Sequence, residues 1–294
     1  MNQIRNNILC GQPRRSIQAV SISSVVDGWF ERGIDSAEVL AVFDRAINLS
    51  VVYQDTSNIV TLCSEGVGDG PLNIVLNPWP KLVVSTCFSV IIRDKTIQLG
   101  GSIVECSNAT VWDPTPQWTE LRLVLPEVSE LKLLASPYHL RSPLLSAVCC
   151  QDDCPAFFRP GLLSLQSGLR QSDLDQVSQG AAMLAGLGEG LTPAGDDFLC
   201  GFMLGLWATL TEPRSFCNAI LQASFPATTS LSAAFLNRAA TGEVNAYWMC
   251  WLNSFFEPGN KRQQEAALDQ VVSVGQSSGA DMLAGFVAVN LNRD

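Results

Sequence analysis

The chain has 294 residues, long enough for two domains that each bury a core, and its 47% hydrophobic and 16% charged residues indicate a folded protein. Its 18 Lys and Arg residues against 28 Asp and Glu residues give a net charge of −10. This balance argues against a broad basic surface for DNA or RNA, so we expect no nucleic-acid partner.

The N-terminal stretch 1–18 (MNQIRNNILCGQPRRSIQ) is polar throughout and lacks the apolar centre of a secretory signal. The longest strongly apolar run, 198–211 (FLCGFMLGLWATLT), is shorter than the about 20 residues that cross a bilayer. We therefore expect a cytoplasmic protein with no membrane partner, whose ten cysteines are reduced thiols.

The first half of the chain predicts β-structure. Segments 38–54 (EVLAVFDRAINLSVVYQ) and 58–65 (NIVTLCSE) are rich in β-branched residues and flank a short connection, which is typical of two paired strands. Segments 87–94, 96–101 and 102–112 continue this pattern, with a turn predicted at Asp94-Lys95.

The second half predicts helices. Segment 172–187 (SDLDQVSQGAAMLAGL) has apolar residues near helical spacing and Ser172 as a candidate N-cap, and segments 215–224, 228–243 and 261–275 also have helical spacing. The fold class is therefore α+β, with a β-rich domain and polar N-terminal tail over 1–146 and a mainly α-helical domain over 147–294.

A glycine-rich motif, 186–202 (GLGEGLTPAGDDFLCGF), precedes one of these helices. Thr192 is a candidate N-cap and Pro193 suits the first helical position. The preceding glycines allow positive φ and leave backbone amides open to a ligand, and a helix N-terminus attracts anions. The motif is neither a Walker loop nor a dinucleotide fingerprint.

A second segment, 275–289 (GQSSGADMLAGFVAV), repeats part of this motif as G-x-D-x-L-x-G-F. Asp197 and Gly201, like Asp281 and Gly285, are four residues apart and share a helix face. Glycines on such a face allow two helices to approach closely, so we expect both aspartates to converge on one pocket with the loop 186–190. The alternative is that the acids complement the helix dipole and the glycines serve packing alone.

Carboxylates and anion-binding amides can share a pocket in two ways. A Mg²⁺ held by Asp196 and Asp197 could bridge to a phosphate, although no cofactor is certain from the sequence. A carbamoyl or amide ligand could instead place its NH₂ on a carboxylate and its oxygen or phosphate on the amides of 188–190.

Other candidate ligand-binding groups lie outside the motif. A second glycine-rich turn, 66–71 (GVGDGP), could face the pocket with Arg45 or Asn48, or could be only a tight turn. Thr229 could contribute a hydroxyl or only cap a helix. The chain has one histidine, His139, and no G-x-S-x-G elbow. Both observations argue against a Ser-His-Asp hydrolase.

The candidate residues form two sets. The predicted catalytic residues are Asp196, Asp197 and Asp281. The predicted substrate-binding residues are Gly186, Gly188, Gly190, Thr192, Gly195, Ser278, Gly279, Arg45, Asn48 and Thr229.

The segments 186–202 and 273–286 (SVGQSSGADMLAGF) resemble the AllH-like family, with weaker support from 42–49 (VFDRAINL), 66–71 and 235–242 (FLNRAATG). The family includes one subunit of the oxamate carbamoyltransferase of anaerobic allantoin breakdown. The resemblance implies carbamoyl transfer between an oxamate-like acceptor and phosphate, with carbamoyl phosphate formed or consumed. It also implies FdrA-like and AllG-like partner subunits. The chain lacks the Ser-Thr-Arg-Thr motif of aspartate and ornithine carbamoyltransferases, so that fold is not indicated.

The sequence thus favours a carbamoyltransferase subunit that binds a small anionic or carbamoyl-type metabolite. Two alternatives remain open at this point. One is a non-catalytic metabolite-binding or scaffolding subunit, and the other is a Mg²⁺-dependent phosphoryl or acyl transferase.

Overall fold

A computed structural model describes residues 15–34, 36–54, 56–80, 89–150, 154–257 and 259–289. The chain divides into two compact units between Asp113 and Pro114, called here the N-terminal and C-terminal units. The predicted order of a β-rich part followed by a mainly helical part is confirmed. Within the described ranges, no helix has the length and apolar character needed to cross a membrane.

The described part of the N-terminal unit contains one helix, α1 (Ser24–Arg32), and nine strands. The strands are β1 (Arg15–Ser23), β2 (Ser36–Val42), β3 (Ala46–Tyr53), β4 (Thr56–Ser64), β5 (Asn73–Leu76), β6 (Ser89–Arg93), β7 (Thr96–Leu99), β8 (Ser102–Glu105) and β9 (Thr110–Trp112).

Eight of these strands form a closed sheet. Their order is β5-β4-β3-β2-β6-β7-β8-β1, and β1 then pairs antiparallel with β5. The end of β1 also pairs in parallel with β9. Closure leaves few free strand edges, and buried residues such as Ile47 and Leu49 of β3 form the core inside it.

The predicted strand over 38–54 is in fact a hairpin. β2 ends at Val42 and β3 begins at Ala46, and the Phe43 amide donates to the Ala46 carbonyl across the turn. The polar pair Asp44-Arg45 accounts for the reversal. The predicted turn at Asp94-Lys95 is confirmed, since both residues have positive φ between β6 and β7.

Every secondary-structure element described in the C-terminal unit is a helix, and two of them are 3-10 helices, Ser136–Arg141 and Ser254–Phe256. Its α-helices are α2 (Trp118–Val124), α3 (Val128–Ala135), α4 (Pro143–Cys149), α5 (Arg159–Gln171), α6 (Leu174–Leu184), α7 (Ala194–Thr209), α8 (Arg214–Ser224), α9 (Ser230–Ala240), α10 (Ala246–Asn253), α11 (Lys261–Val272) and α12 (Ser278–Ala288).

The sequence predicts that residues 114–146 belong to the first domain, whereas the structure places them in the helical unit. This segment contains α2, α3 and the start of α4. Trp118 of α2 is buried and its indole N–H donates to the carbonyl of Gly242. Local composition around 142–157 suggested a boundary there, whereas long-range packing of α2 and α3 decides the division.

The helices α7 and α12 form the centre of the C-terminal unit. Phe198 and Phe202 of α7 have no exposed surface, and the Phe198 ring meets Phe158 edge to face at 4.9 Å. A Cβ on Gly201 would lie 1.7 Å from the carbonyl oxygen of Met282, and one on Gly285 would lie 1.9 Å from that of Phe198. The predicted close approach through the glycine faces is therefore confirmed, because only hydrogen fits at both positions.

Two predicted helix caps are wrong. Ser172 ends α5 with φ of 54°, and Asp173 caps α6 through its carboxylate instead. Helix α7 begins one residue later than predicted, with Pro193 as N-cap and no side-chain cap. The Thr192 hydroxyl is engaged elsewhere, as described below.

Candidate functional site

Asp197 of α7 and Asp281 of α12 lie in one polar cluster, which we call the aspartate cluster: Thr192, Asp197, Ser278, Asp281, Ser142 and Ser277. The hydroxyls of Thr192 and Ser278 are 3.2 Å apart, and both hydrogen-bond to Asp197. Ser278 precedes Asp281 by three residues, one helical turn, on α12. The backbone contact between α7 and α12 thus delivers both acidic first turns to a common region.

Asp281 has only 1% of its surface exposed, and a hydrogen bond from Ser142 occupies one of its two carboxyl oxygens. Ser142 is the N-cap of α4, and its Oγ accepts hydrogen bonds from the amides of Leu144 and Leu145. Its own proton is therefore left to donate to Oδ1 of Asp281. Because Oδ1 accepts this bond, a proton on the Asp281 carboxyl group belongs on Oδ2.

The Oδ2 atoms of Asp197 and Asp281 are both buried, and neither has a hydrogen-bond partner among the described residues. The pKa of Asp197 is raised to about 7, mainly by burial and also by the neighbouring charges of Asp281 and Asp196, while the hydrogen bonds from Ser278 and Thr192 limit the rise. Burial likewise raises the pKa of Asp281, against hydrogen bonds from Ser142 and Ser277. Asp197 is therefore suited to exchange a proton near neutral pH.

Asp196 has different partners from Asp197, although the two are adjacent. Its Oδ1 accepts from the Gly186 amide at 2.8 Å, and its Oδ2 accepts from the Thr228 hydroxyl at 2.6 Å. With 1% of its surface exposed and both oxygens accepting, Asp196 ties the start of the glycine loop to the segment before α9. This arrangement gives it an anchoring role.

The glycine loop, residues 186–191, exposes backbone where the sequence predicted it. Gly186, Gly188 and Gly190 have φ of 72°, 117° and 99°. Across the described ranges, no residue accepts a hydrogen bond from the amides of 188–190, which are exposed. Open backbone amides of this kind are able to donate hydrogen bonds to an anion.

The contacts of Gly195 and Gly279 are with protein backbone. A Cβ on either would lie 2.0 Å from a carbonyl oxygen, that of Leu184 or Val271 respectively. The Gly195 amide also donates to the Leu187 carbonyl. The amide at the start of α7 therefore closes the glycine loop, and the amides open to an anion are those of the loop itself.

Thr229 is the N-cap of α9 and also holds the glycine loop. Its hydroxyl donates to the Leu191 carbonyl at 2.8 Å and accepts from the Ser232 amide at 3.1 Å. The predicted capping alternative thus describes its observed contacts, with the loop contact in addition.

Arg45 and Asn48 belong to the N-terminal unit. Asn48 of β3 is buried, and its Oδ1 accepts from Thr61, its register partner on β4. Arg45 is exposed in the β2–β3 turn and lies against Gly66. The structure thus places both predicted binding residues in the N-terminal unit, with Asn48 in a buried side-chain pair and Arg45 in an exposed turn.

Two cavities, one in each unit, are lined by residues outside the aspartate cluster. One, of about 700 Å³, is lined by the end of α1 and the β6–β7 hairpin. The other, of about 230 Å³, is lined by the loop between α2 and α3 and by the far ends of α7 and α12. In the residues open to description, no group of three or more His, Cys, Asp or Glu side chains is placed to hold a metal ion.

The sequence does not link Ser142 and Ser277 to Asp281, or Thr228 to Asp196, although these hydroxyls hydrogen-bond to the two aspartates. Ser142 precedes Pro143, and a serine before a proline is a signal for a helix start. That signal could have found the α4 cap, but no local pattern connects residue 142 with residue 281.

Comparison with known protein families gives two matches. Residues 18–111 match the AllH family N-terminal domain, and residues 184–290 match the oxamate carbamoyltransferase subunit AllH. No solved structure matches the chain. The second match contains the glycine loop, Asp197 and Asp281, and the two matches together cover most of the chain. The chain belongs to the AllH family of oxamate carbamoyltransferase subunits.

Proposed function

We propose that this chain carries acid–base and oxyanion-binding groups for carbamoyl transfer between oxamate and phosphate. The observation that supports this most directly is the pairing of an open amide loop with Asp197, whose pKa is raised to about 7. The Thr192 hydroxyl links these parts, since it follows the loop directly and hydrogen-bonds to Asp197.

The reaction needs one proton transfer that a group titrating near neutral pH can perform. In the phosphate-consuming direction, a phosphate oxygen attacks the carbamoyl carbon of N-carbamoyl oxamate. The bond from that carbon to the oxamate nitrogen breaks, and protonated Asp197 gives its proton to the departing nitrogen. The products are carbamoyl phosphate and oxamate. In reverse, the Asp197 carboxylate removes a proton from the oxamate NH₂ as it attacks carbamoyl phosphate.

The loop amides of 188–190 would receive the negative charge of this reaction. Phosphate or the oxyanion that develops on the carbamoyl oxygen is stabilised by N–H groups fixed before the reaction begins. Asp196 and Thr229 would act indirectly, because they hold the two ends of the loop. Gly195 and Gly279 would act through packing.

The family name describes a subunit, and we propose that FdrA-like and AllG-like chains complete the assembly. The glycine loop is exposed, with 54% of the Leu191 surface accessible. A partner that covers this loop would exclude water from the reacting groups.

The test is phosphate-dependent release of carbamoyl phosphate from N-carbamoyl oxamate, measured with this chain alone and with both partner chains. We expect Asp197→Asn to lower kcat by about 10²–10⁴, the usual contribution of a general acid or base. Asp175→Asn, an exposed aspartate in the first turn of α6, is the matched control and should retain activity. Full activity of Asp197→Asn in the complete assembly would overturn the proposal.

A second candidate is Mg²⁺-dependent phosphoryl or acyl transfer, favoured by the two unpartnered Oδ2 atoms of Asp197 and Asp281. Mg²⁺ binds with one or two carboxylates when phosphate oxygens and water complete its shell. This candidate requires activity to disappear with a chelator and return with Mg²⁺. It also requires Asp281→Asn to raise the Mg²⁺ concentration needed for half-maximal rate.

A further inference from the structure

Two sequence motifs in the N-terminal unit that are separate along the chain meet in the fold. They are the turn between β2 and β3, which carries Arg45, and the glycine-rich turn after β4. The Ser64 amide donates to the Arg45 carbonyl at 3.0 Å, which fixes the two turns side by side. A Cβ on Gly66 would lie 3.1 Å from Nη1 of Arg45, so the guanidinium group lies directly over the Gly66 backbone.

Ser64 supplies a second observation at the same place. Its Oγ lies 3.8 Å from the position of that Gly66 Cβ, and only 8% of the Ser64 surface is exposed. This hydroxyl is buried without any hydrogen-bond partner in the described chain. A buried hydroxyl without a partner is unfavourable, and a ligand oxygen that accepts its hydrogen bond would remove that cost.

The positive charge of Arg45 can also interact with an anion beside Gly66. None of the ion pairs formed by the described residues includes Arg45. Asp69 is hydrogen-bonded to Ser21, whereas Glu65 is exposed next to Ser64. The local charge is therefore mixed, which predicts weak, salt-sensitive binding of a small ligand.

We propose that Arg45, Ser64 and Gly66 form a second site for a small oxyanion, a phosphate or a carboxylate, within the N-terminal unit. Arg45 donates charge-assisted hydrogen bonds to two oxygens of the anion. The Ser64 hydroxyl donates a further hydrogen bond to the anion, and the missing side chain of Gly66 leaves room for the guanidinium group of Arg45. This proposal does not rest on the function proposed for the aspartate cluster.

The test uses the whole chain labelled with ¹⁵N-glycine and titrated separately with inorganic phosphate and with oxamate. Amide shifts of Gly66, Gly68 and Gly70 report on this site, while those of Gly188 and Gly190 report on the glycine loop. The titrations with the two anions show whether phosphate or carboxylate is preferred.

Four variants make the test specific. Arg45→Ala should weaken the affinity read from Gly66 by about tenfold or more, and Ser64→Ala by about two- to tenfold. Glu65→Gln should strengthen it, because a repelling charge is removed. Arg93→Ala, an exposed arginine of β6, should leave it unchanged.

Ser64→Ala should also affect the stability of the chain when no ligand is bound. Because its hydroxyl has no partner, the variant should be at least as stable as the unmodified chain while binding the anion less well. Shifts at Gly188 and Gly190 with none at Gly66 would overturn this site and leave the proposed function intact. Equal affinity of Arg45→Ala and the unmodified chain would overturn it as well.

Discussion

Gly201 of α7 lies so close to Met282 of α12 that a methyl group on Gly201 would be 1.7 Å from the Met282 carbonyl oxygen. This contact sets the distance between two helices whose first turns carry Asp197 and Asp281. The chemistry of the aspartate cluster therefore depends on a position that contains no functional group.

We expect Gly201→Ala to destabilise the C-terminal unit by at least about 1–3 kcal/mol, because the helices must separate or the backbone must shift. Urea unfolding followed by circular dichroism measures this loss. Gly28→Ala is the control, since a Cβ there meets only the end of Arg32 at 3.5 Å. In a helix that change is neutral or stabilising. Equal stability of both variants would contradict the packing described for α7 and α12.

The stability of the protein should fall as pH rises through the titration of Asp197. Its pKa is about 7 in the fold and 3.8 without the fold, so between these values the folded chain holds a proton that the unfolded chain has released. Stability from this group is complete below pH 3.8 and is lost as pH rises to about 7. The slope approaches about 1.4 kcal/mol per pH unit.

Asp197→Asn should remove this slope, because asparagine stays neutral. Urea unfolding across the same pH range should show the variant gaining stability over the unmodified chain as pH rises. Loss of carbamoyl transfer in this variant then cannot be attributed to unfolding. A constant difference between the two chains at every pH would show that Asp197 does not titrate in this way.

Asp196 and Thr228 should be energetically coupled. A hydrogen bond to a charged group contributes about 1.5–3 kcal/mol, and Thr228→Val removes it while keeping the shape of the side chain. A double-mutant cycle with Asp196→Asn, measured by urea unfolding, should give an interaction energy above about 0.5 kcal/mol. Additive effects would mean that the tie to the glycine loop at Asp196 does not form in solution.

Ser142 should affect both stability and the titration of Asp281. Ser142→Ala removes the cap of α4, at a cost of about 1 kcal/mol. It also removes a donor that lowers the pKa of Asp281, so this pKa should rise further. Carboxyl titration by NMR measures the change, and Ser142→Thr, which keeps the hydroxyl, is the control. An unchanged Asp281 titration in Ser142→Ala would be evidence against the contact.

Short-range patterns in the sequence were sufficient for several features. Alternating β-branched segments predicted the strands, and helical spacing predicted the C-terminal helices. Repetition of G-x-D-x-L-x-G-F predicted that α7 and α12 pack through glycine. The strands and helices depend on residues within one or two turns of each other, and the α7–α12 contact could be predicted because each helix carries the same short glycine and aspartate spacing.

Other features depend on residues that are distant in the chain. Nothing local distinguishes Asp196 from Asp197, yet one binds Gly186 and Thr228 while the other faces Thr192 and Ser278. The cause is geometric, because adjacent residues on a helix point about 100° apart and meet different neighbours.

The sequence by itself determined the order of β-rich and helical parts, the glycine loop and the acidic residues that begin two helices. Tertiary structure alone decided which of the two adjacent aspartates lies near the carboxyl group of Asp281, and it alone brought Ser142 to Asp281 and Arg45 to Gly66. Burial and the arrangement of distant neighbours set the protonation of a carboxyl group, and neither exists until the chain has folded.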